Sequence, residues 1–303
     1  MKKVYYLILL IATFFSCKND TKTNGKLNVV TTTTMITDLV KNIGGDAINV
    51  QGLMGSGVDP HLYKASEGDV SKLTNADVIF FNGLHLEGKL DDVFEKMEGL
   101  GITTVALAEK IHKNGLIGSE NFASNYDPHV WFNIEYFKEF TKQVTNTLSE
   151  QDPKNKALYE ANEKAYLSKL DKLEEDIKGT VNALPEEKRI LVTAHDAFNY
   201  FGRAYGFKVV GLQGLSTVTE AGVQDVQKLA SFIIDHKVKA IFVESSVPKR
   251  TIEALQKAVK SKDYEVIIGG TLYSDALGNA GTPEGTYLGM YRYNIKTIVK
   301  ALL

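Results

Sequence analysis

The sequence has a single cysteine, no large excess of either positive or negative charge, and few long apolar runs. Each of these shortages argues against a class of protein. Its single cysteine, Cys17, rules out an intramolecular disulfide and a zinc site built on several thiolates. The formal net charge of −2 at pH 7 gives no basic excess, which argues against a nucleic-acid partner. Beyond residue 17 no apolar run is long enough to span a bilayer, so we expect the rest of the chain to be soluble.

Common enzyme signatures are also missing. The chain has no His-Glu-x-x-His, no Gly-x-Ser-x-Gly, no P-loop and no Gly-x-Gly-x-x-Gly. With 44 % hydrophobic and 24 % charged residues, its composition is that of an ordinary globular protein, and 303 residues are enough for two domains.

The N-terminus has the pattern of an export signal. Met-Lys-Lys at residues 1–3 precedes an apolar run, Val4 to Phe15, that is too short for a transmembrane helix. The following Ser-Cys completes a sequence similar to a bacterial lipobox, although Phe14 stands where leucine is usual. We predict a lipoprotein signal peptide over residues 1–17, lipid modification of Cys17 and a polar tether over residues 18–26. The alternative is that Cys17 is a spare residue in a discarded leader.

Short β-branched runs alternate with helical patterns in two series, one starting at Leu27 and the other at Arg189. Such alternation predicts an α/β fold with parallel strands and helical crossovers, and two series predict two lobes. We assign the N-terminal lobe to residues 27–150 and the C-terminal lobe to residues 185–303, each with a mainly parallel sheet flanked by helices.

A segment of different character, residues 151–184, separates the two series. Apolar residues recur at helical spacing from Leu158 to Ile177, and prolines stand at positions 153 and 185. We predict one long rigid helix of roughly 45 Å that joins the lobes and limits hinge motion. The alternative is an isolated amphipathic helix on the surface.

The triplet Asp-Pro-His occurs twice, ending at His61 and at His129. From the histidine content, roughly one proline in fifty should precede a histidine by chance. Proline fixes its own φ and keeps the preceding residue extended, so each imidazole leaves from a stiff loop. Stiff loops suit metal ligands, and we predict that His61 and His129 bind a metal ion.

Two further candidate ligands follow predicted strands of the C-terminal lobe, His195 after a strand at residues 189–193 and Asp275 after a strand at residues 265–268. Ligands of open α/β sheets bind beyond the carboxyl ends of the strands, which is also where His61 lies. Three imidazoles and one carboxylate suit zinc and can take manganese. Four protein ligands leave no position for a reactive water, which favours carriage of the metal over catalysis.

Taken singly, each histidine is more often a structural or surface residue than a metal ligand. Other residues are also candidates for roles at this site. His85 also follows a strand and is the main competitor. Its flanking leucines indicate a packed position near the cleft, so we make it a second choice, a candidate to support the ligands from beside the site. Glu244 ends a predicted strand and is a candidate acceptor for the second nitrogen of a ligand imidazole, or else a polar strand end. His112 and His236 lie in polar contexts and are predicted to be solvated.

Together these segments resemble the solute-binding proteins of zinc and manganese ABC transporters, the cluster A-I family. The similarity runs through nearly all of the sequence after the tether. It rests on five segments in the same order, which are Val29–Gly45, Gly57–Tyr63, Tyr126–Phe132, Val192–Tyr205 and Leu272–Leu277.

The resemblance implies two α/β lobes joined by a rigid helix, with one metal ion in the cleft. It implies an exported, membrane-anchored lipoprotein that faces the periplasm or the cell exterior and hands its ion to an ABC permease; we expect a monomer. Zinc is favoured over manganese because His195 stands where manganese-specific members often have glutamate. The histidine-rich loop of many zinc-dedicated members is absent. The ligand roles fall on His61, His129, His195 and Asp275.

The expected mechanism is capture and delivery with a small conformational change, confined to a loop that carries His195 or Asp275. Metal affinity should fall as the histidines protonate in acid. Two rival functions are a metal-dependent hydrolase and a surface adhesin with a structural metal. An exchangeable water on the metal would support the first, and unfolding on metal removal would support the second.

Overall fold

The computed structural model describes residues 25–120 and 122–303. Within those ranges the chain has the predicted α/β fold, in which parallel strands are flanked by helices. Cys17, the signal peptide and most of the predicted tether lie outside the described residues. Across the described part of the chain, no helix has the length and apolar composition that crossing a membrane requires.

The N-terminal lobe is built on a four-stranded parallel sheet. Its strands are β1 (Leu27–Thr31), β2 (Ile48–Gly52), β3 (Val78–Phe81) and β4 (Thr103–Ala106), and they lie in the order β2-β1-β3-β4. Its first helices are α1 (Thr34–Gly44), α2 (Glu67–Thr74) and α3 (Asp91–Gly99). The two central strands are almost wholly buried, because both faces of the sheet are covered, and this explains their nearly continuous apolar sequences.

An 18-residue helix, α4 (Ile134–Gln151), follows the second Asp-Pro-His triplet and was not predicted. Asn133 caps its N-terminus by accepting two backbone hydrogen bonds. Buried residues recur along the helix at three- and four-residue spacing, so a helical signal was present in the sequence. Thr141 and Thr145 on the buried face interrupt the apolar stripe and weaken that signal.

The predicted connecting helix is present as α5 (Lys156–Val181), preceded by a 3-10 turn at Pro153–Asn155. Its 26 residues span about 39 Å, somewhat less than the predicted rod. Its fully buried side chains include Tyr159, Tyr166, Leu170, Leu173 and Ile177.

The C-terminal lobe contains two pairs of parallel strands. The strands are β5 (Ile190–His195), β6 (Lys208–Gln213), β7 (Ala240–Glu244) and β8 (Ile267–Leu272). Strand β5 pairs with β6, β7 pairs with β8, and β5 lies beside β7. The helices are α6 (Asn199–Tyr205), α7 (Val223–Asp235), α8 (Arg250–Lys260) and α9 (Tyr287–Leu302).

Helix α5 packs against α1 and α4 of the N-terminal lobe and against α9 of the C-terminal lobe. One hydrophobic cluster runs from the N-terminal sheet through these helices into the C-terminal lobe. Phe137 of α4 stacks on Tyr287 of α9 with ring centroids 3.7 Å apart. A close-packed core shared by both lobes opposes a wide hinge motion. The predicted lobe limits, residues 27–150 and 185–303, stay a prediction.

Two strands end at positions that differ from the prediction, and both lead to the site. Strand β5 runs two residues further than expected, so His195 is its last residue. Strand β8 covers residues 267–272 instead of 265–268, because Gly269 and Gly270 continue it. Glycines weaken the sequence signal of a strand, and the irregular pairing of β8 with β7 is typical of close backbone approach.

Candidate metal centre

Four side chains selected from the sequence meet at one buried point. His61 comes from the loop after β2, His129 from the segment before α4, His195 from the end of β5, and Asp275 from the segment after β8. One ligand atom of each lies within 4.8 Å of the others, and all four residues are buried. Among the described residues, this is the one group of three or more His, Cys, Asp or Glu with such spacing.

The ligand atoms are spaced like the corners of a metal-coordination shell. Nε2 of His61 lies 3.4 Å from Nε2 of His129, which in turn lies 3.7 Å from Oδ1 of Asp275. Nε2 of His195 lies 3.2 Å from Oδ2 of Asp275. Tetrahedral zinc with zinc–nitrogen distances of about 2.0–2.1 Å requires ligand atoms about 3.3 Å apart. The three separations given are close to that value, and since both carboxylate oxygens of Asp275 lie near imidazole nitrogens, Asp275 could bind an ion through one oxygen or both.

Each Asp-Pro-His triplet forms a tight turn that aims its histidine. Oδ1 of Asp59 accepts a hydrogen bond from the backbone N–H of His61 at 2.9 Å, and Asp127 does the same for His129 at 2.9 Å. The intervening proline fixes φ and removes a competing donor, so the turn is stiff before an ion arrives. The repeated triplet is therefore one local structure used twice.

Asp127 has a second role that the sequence analysis missed. Its Oδ1 also lies 2.7 Å from Nδ1 of His129, and both residues are wholly buried. A carboxylate at this nitrogen favours the tautomer with a proton on Nδ1 and leaves the Nε2 lone pair for a metal. Asp59 differs, because its second oxygen accepts a hydrogen bond from Thr217 of the opposite lobe.

The structure brings Glu244, the candidate acceptor, against His195. Oε1 of Glu244 accepts a hydrogen bond from the backbone N–H of His195 at 2.8 Å, and Oε2 lies 2.6 Å from Nδ1 of the ring. The two residues end the neighbouring strands β7 and β5, so parallel strand ends bring them together. The position of Glu244 is that of a partner that orients a ligand imidazole.

The structure does not bring His85 to a ligand, which corrects its candidate role. Its side chain is exposed, and its Nδ1 lies 2.8 Å from Oδ2 of Asp91. The neighbouring Leu84 and Leu86 are buried as their sequence suggested, whereas the side chain of His85 itself is exposed. His112 and His236 are exposed, as predicted.

Burial and charge shift the pKa values of the ligands in different directions. Burial lowers the pKa of His61 to about 3, so this imidazole is neutral at pH 7. Burial also opposes a charge on His195, but the carboxylates of Asp275 and Glu244 outweigh it and raise the pKa of His195 well above its usual value. Burial alone would raise the pKa of Asp275, yet the imidazoles, above all His195, hold it below the usual range. A cation that binds the His195 imidazole would therefore have to displace a proton from it.

The segment that carries Asp275 is held by the N-terminal lobe. Nε1 of Trp131 donates a hydrogen bond to the carbonyl of Ser274 at 3.1 Å, and the N–H of Leu277 donates to Oγ1 of Thr34 at 2.8 Å. Neither of these two supporting residues was predicted, because contacts between distant segments leave no local pattern in a sequence. The fourth candidate ligand, Asp275, therefore keeps its place through contacts that cross the cleft.

Three imidazoles and a carboxylate, buried between two α/β lobes and flanked by two further carboxylates, define a metal-binding protein that encloses its ion. Comparison with known proteins identifies the family to which the chain belongs. The family described as ZnuA, zinc-uptake complex component A, periplasmic, matches residues 29–301, and the chain belongs to it.

Relatives with high identity span almost the whole chain. The zinc-binding protein TroA of Treponema pallidum is 49 % identical over 283 residues, which cover 93 % of this chain and 91 % of the relative. The manganese-binding lipoprotein MntA of Bacillus subtilis is 46 % identical over 307 residues and 100 % of both chains. The manganese ABC transporter substrate-binding lipoprotein PsaA of Streptococcus mitis is 34 % identical over 313 residues, 100 % of this chain and 99 % of the relative. The solved structure of TroA from Treponema pallidum matches with a TM-score of 0.89 at 49 % identity, over 92 % of this chain and 99 % of that chain.

These findings confirm the predicted class. The chain is a metal-binding receptor of the substrate-binding type that serves ABC transporters, and it is not an enzyme. The names of these relatives divide between zinc and manganese, the two metals expected from the sequence. The family gives no support to the hydrolase or the adhesin.

Proposed function

We propose that the chain captures one divalent transition-metal ion outside the cytoplasm and delivers it to an ABC permease. The ligands are His61 and His129 from the lobe assigned to residues 27–150, with His195 and Asp275 from the lobe at 185–303. The observation that carries the proposal is the separation of their ligand atoms, 3.4, 3.7 and 3.2 Å for three pairs. Because each lobe supplies two ligands, the ion joins loops of both lobes, and a permease can distinguish the loaded surface from the empty one.

Zinc is the proposed cargo, and manganese is the second candidate. Imidazole nitrogen suits zinc, whereas manganese prefers carboxylate oxygen, and three of the four proposed ligands are imidazoles. The two relatives with the highest identities cited above are named for different metals, so identity alone does not decide between the ions.

We further propose that Cys17 carries a lipid that anchors a monomeric receptor to the membrane. The lipobox-like residues 14–17 support this, as do relatives named as lipoproteins. Cells fed labelled palmitate should incorporate the label into the wild-type protein but not into Cys17→Ala. Equal labelling of both proteins would exclude lipid attachment at this position.

Uptake by cells tests delivery. Cells that lack the chain should take up less labelled Zn²⁺ at low external concentration, and wild-type protein should restore uptake while His129→Ala should not. Restoration by His129→Ala would show that the four-ligand site is not the source of the delivered ion.

A further inference from the structure

The three imidazoles of the site are held in different ways. His129 and His195 each have a buried carboxylate oxygen beside Nδ1, at 2.7 and 2.6 Å. His61 is held through its backbone, because Asp59 accepts a hydrogen bond from its N–H and turns the other carboxylate oxygen toward the opposite lobe. The position of His61 therefore depends on what holds its loop.

The loop before His61 is fastened to the C-terminal lobe. Oγ of Ser56 donates a hydrogen bond to the carbonyl of Leu277 at 2.9 Å. Gly57, with a φ of 72°, lies beside the carbonyl of Ser245, and a Cβ added to it would be in van der Waals contact with that oxygen at 3.4 Å. These contacts attach the loop that carries His61, a residue of the N-terminal lobe, to the C-terminal lobe.

A third contact links the loop to residues 214–222, between β6 and α7, here called the latch loop. Oγ1 of Thr217 donates a hydrogen bond to Oδ2 of Asp59 at 2.6 Å, and Thr217 is buried. Gln213 fixes the base of the latch loop by donating from Nε2 to the carbonyl of Thr219 at 3.1 Å. One carboxylate, that of Asp59, thus connects the Thr217 hydroxyl to the backbone of His61.

The latch loop has space beside it. A cavity of about 490 Å³ is lined by residues of this loop on one side and by Ser119 and Phe122 on the other. The ring of Phe122 lies edge-on to the imidazole of His61, with centroids 6.5 Å apart, so the cavity adjoins the His61 side of the site. Val218 at the tip of the loop is exposed. The latch loop can therefore shift without disturbing the shared core.

We infer that Thr217 is a positioning residue for ion retention: its hydrogen bond to Asp59 across the cleft holds the His61 loop closed and sets the lifetime of the bound ion. This inference rests on the proposed function and makes His61 the ligand that moves on release. The sequence suggested movement of His195 or Asp275 instead. His195, however, ends a buried strand, whereas the His61 loop is linked through Thr217 to a loop that has a cavity beside it.

The test is the rate of metal release from the full chain. Protein loaded with Zn²⁺ is mixed with a fluorescent chelator in a stopped-flow instrument. Thr217→Val keeps the side-chain shape and removes the hydroxyl, so it should release Zn²⁺ about tenfold faster, because an unpaired carboxylate oxygen favours the open loop. Thr217→Ser keeps the hydroxyl and should restore the wild-type rate. Ser216→Ala, which removes a hydroxyl that accepts a hydrogen bond within the latch loop, is the matched control.

The outcomes separate this inference from the proposed function. Binding of one Zn²⁺ with a wild-type release rate in Thr217→Val would overturn the inference and leave the receptor intact. Release from Thr217→Ser as fast as from Thr217→Val would also overturn it, since side-chain bulk would then be responsible. Adding Thr217→Val to Asp59→Ala should not accelerate release further; an additional increase would show that Thr217 acts independently of Asp59. Absence of saturable binding to the wild type would instead remove the proposed function.

Discussion

Oδ1 of Asp127 contacts His129 twice, accepting a hydrogen bond from the backbone N–H at 2.9 Å and lying 2.7 Å from Nδ1 of the ring. One oxygen therefore fixes both the turn that presents the histidine and the orientation of its imidazole. Burial of both residues protects this arrangement from water. Partners of this kind raise the basicity of the metal-binding nitrogen and reduce the freedom that a ligand loses on binding.

Asp127→Ala should lower the affinity for Zn²⁺ by about 10- to 100-fold and leave the stoichiometry at one ion, because the ligand remains while its orienting partner is lost. Competition against a chelator of known affinity measures the change. Asp91→Ala is the matched control, since Asp91 pairs with the exposed His85 and should leave the affinity unchanged. Equal affinities for Asp127→Ala and the wild type would refute the orienting role.

Zinc binding at pH 7 should release about one proton, because the raised pKa of His195 keeps its imidazole protonated before the metal arrives. His61 contributes no proton near neutrality, since its pKa is about 3. The affinity should therefore increase with pH until the pH passes the raised pKa of His195. Calorimetric titrations in buffers of different ionisation enthalpy count the released protons.

Glu244→Gln tests the cause of this proton release. The substitution removes a negative charge beside His195, so fewer protons should be released at pH 7. A proton count of zero for the wild type would contradict the account of His195, as would an equal count in both proteins.

His195→Glu should lower the ratio of zinc affinity to manganese affinity, because a carboxylate oxygen suits manganese better than an imidazole does. Both affinities should fall, since the new carboxylate would face those of Asp275 and Glu244. The ratio is the decisive quantity, because zinc exceeds manganese in affinity at most sites. Parallel chelator competitions with each metal give the ratio, and an unchanged ratio would argue against selection by this ligand.

Leu170→Ala should destabilise the metal-free protein by about 2–5 kcal/mol, because Leu170 is wholly buried where α5 contributes to the shared core. Leu158→Ala, on the same helix but 43 % exposed, is the matched control and should change the free energy of unfolding by less than about 1 kcal/mol. Unfolding in denaturant measures both. Similar values for the two variants would mean that α5 does not anchor the core.

Much of the site could be predicted because it follows two local rules. The carboxyl ends of parallel strands converge, which selected His195, Asp275 and Glu244. The stiffness of Asp-Pro-His selected the other two histidines. Thr34, Trp131 and Thr217 could not be predicted, because each supports the site through a hydrogen bond to a segment more than a hundred residues away in sequence.

Most of the fold could also be predicted, and the elements that were missed have physical explanations. Alternating strand and helix patterns predicted both lobes and the helix α5. Helix α4 was missed where threonines interrupt its buried face, and the end of β8 was misplaced where two glycines continue the strand. The exposure of His85 was misjudged because its two leucine neighbours are buried while its own side chain, in a backbone with a φ of 61°, is not.

The most direct test of the receptor is calorimetric titration of metal-stripped protein with Zn²⁺ and Mn²⁺, beside His129→Ala and the control His112→Ala, whose histidine is exposed. The proposed site predicts one tight equivalent of Zn²⁺ for the wild type and the control, no tight binding for His129→Ala, and a folded metal-free protein in every case. Equal binding by His129→Ala, or no saturable binding by the wild type, would contradict the four-ligand site.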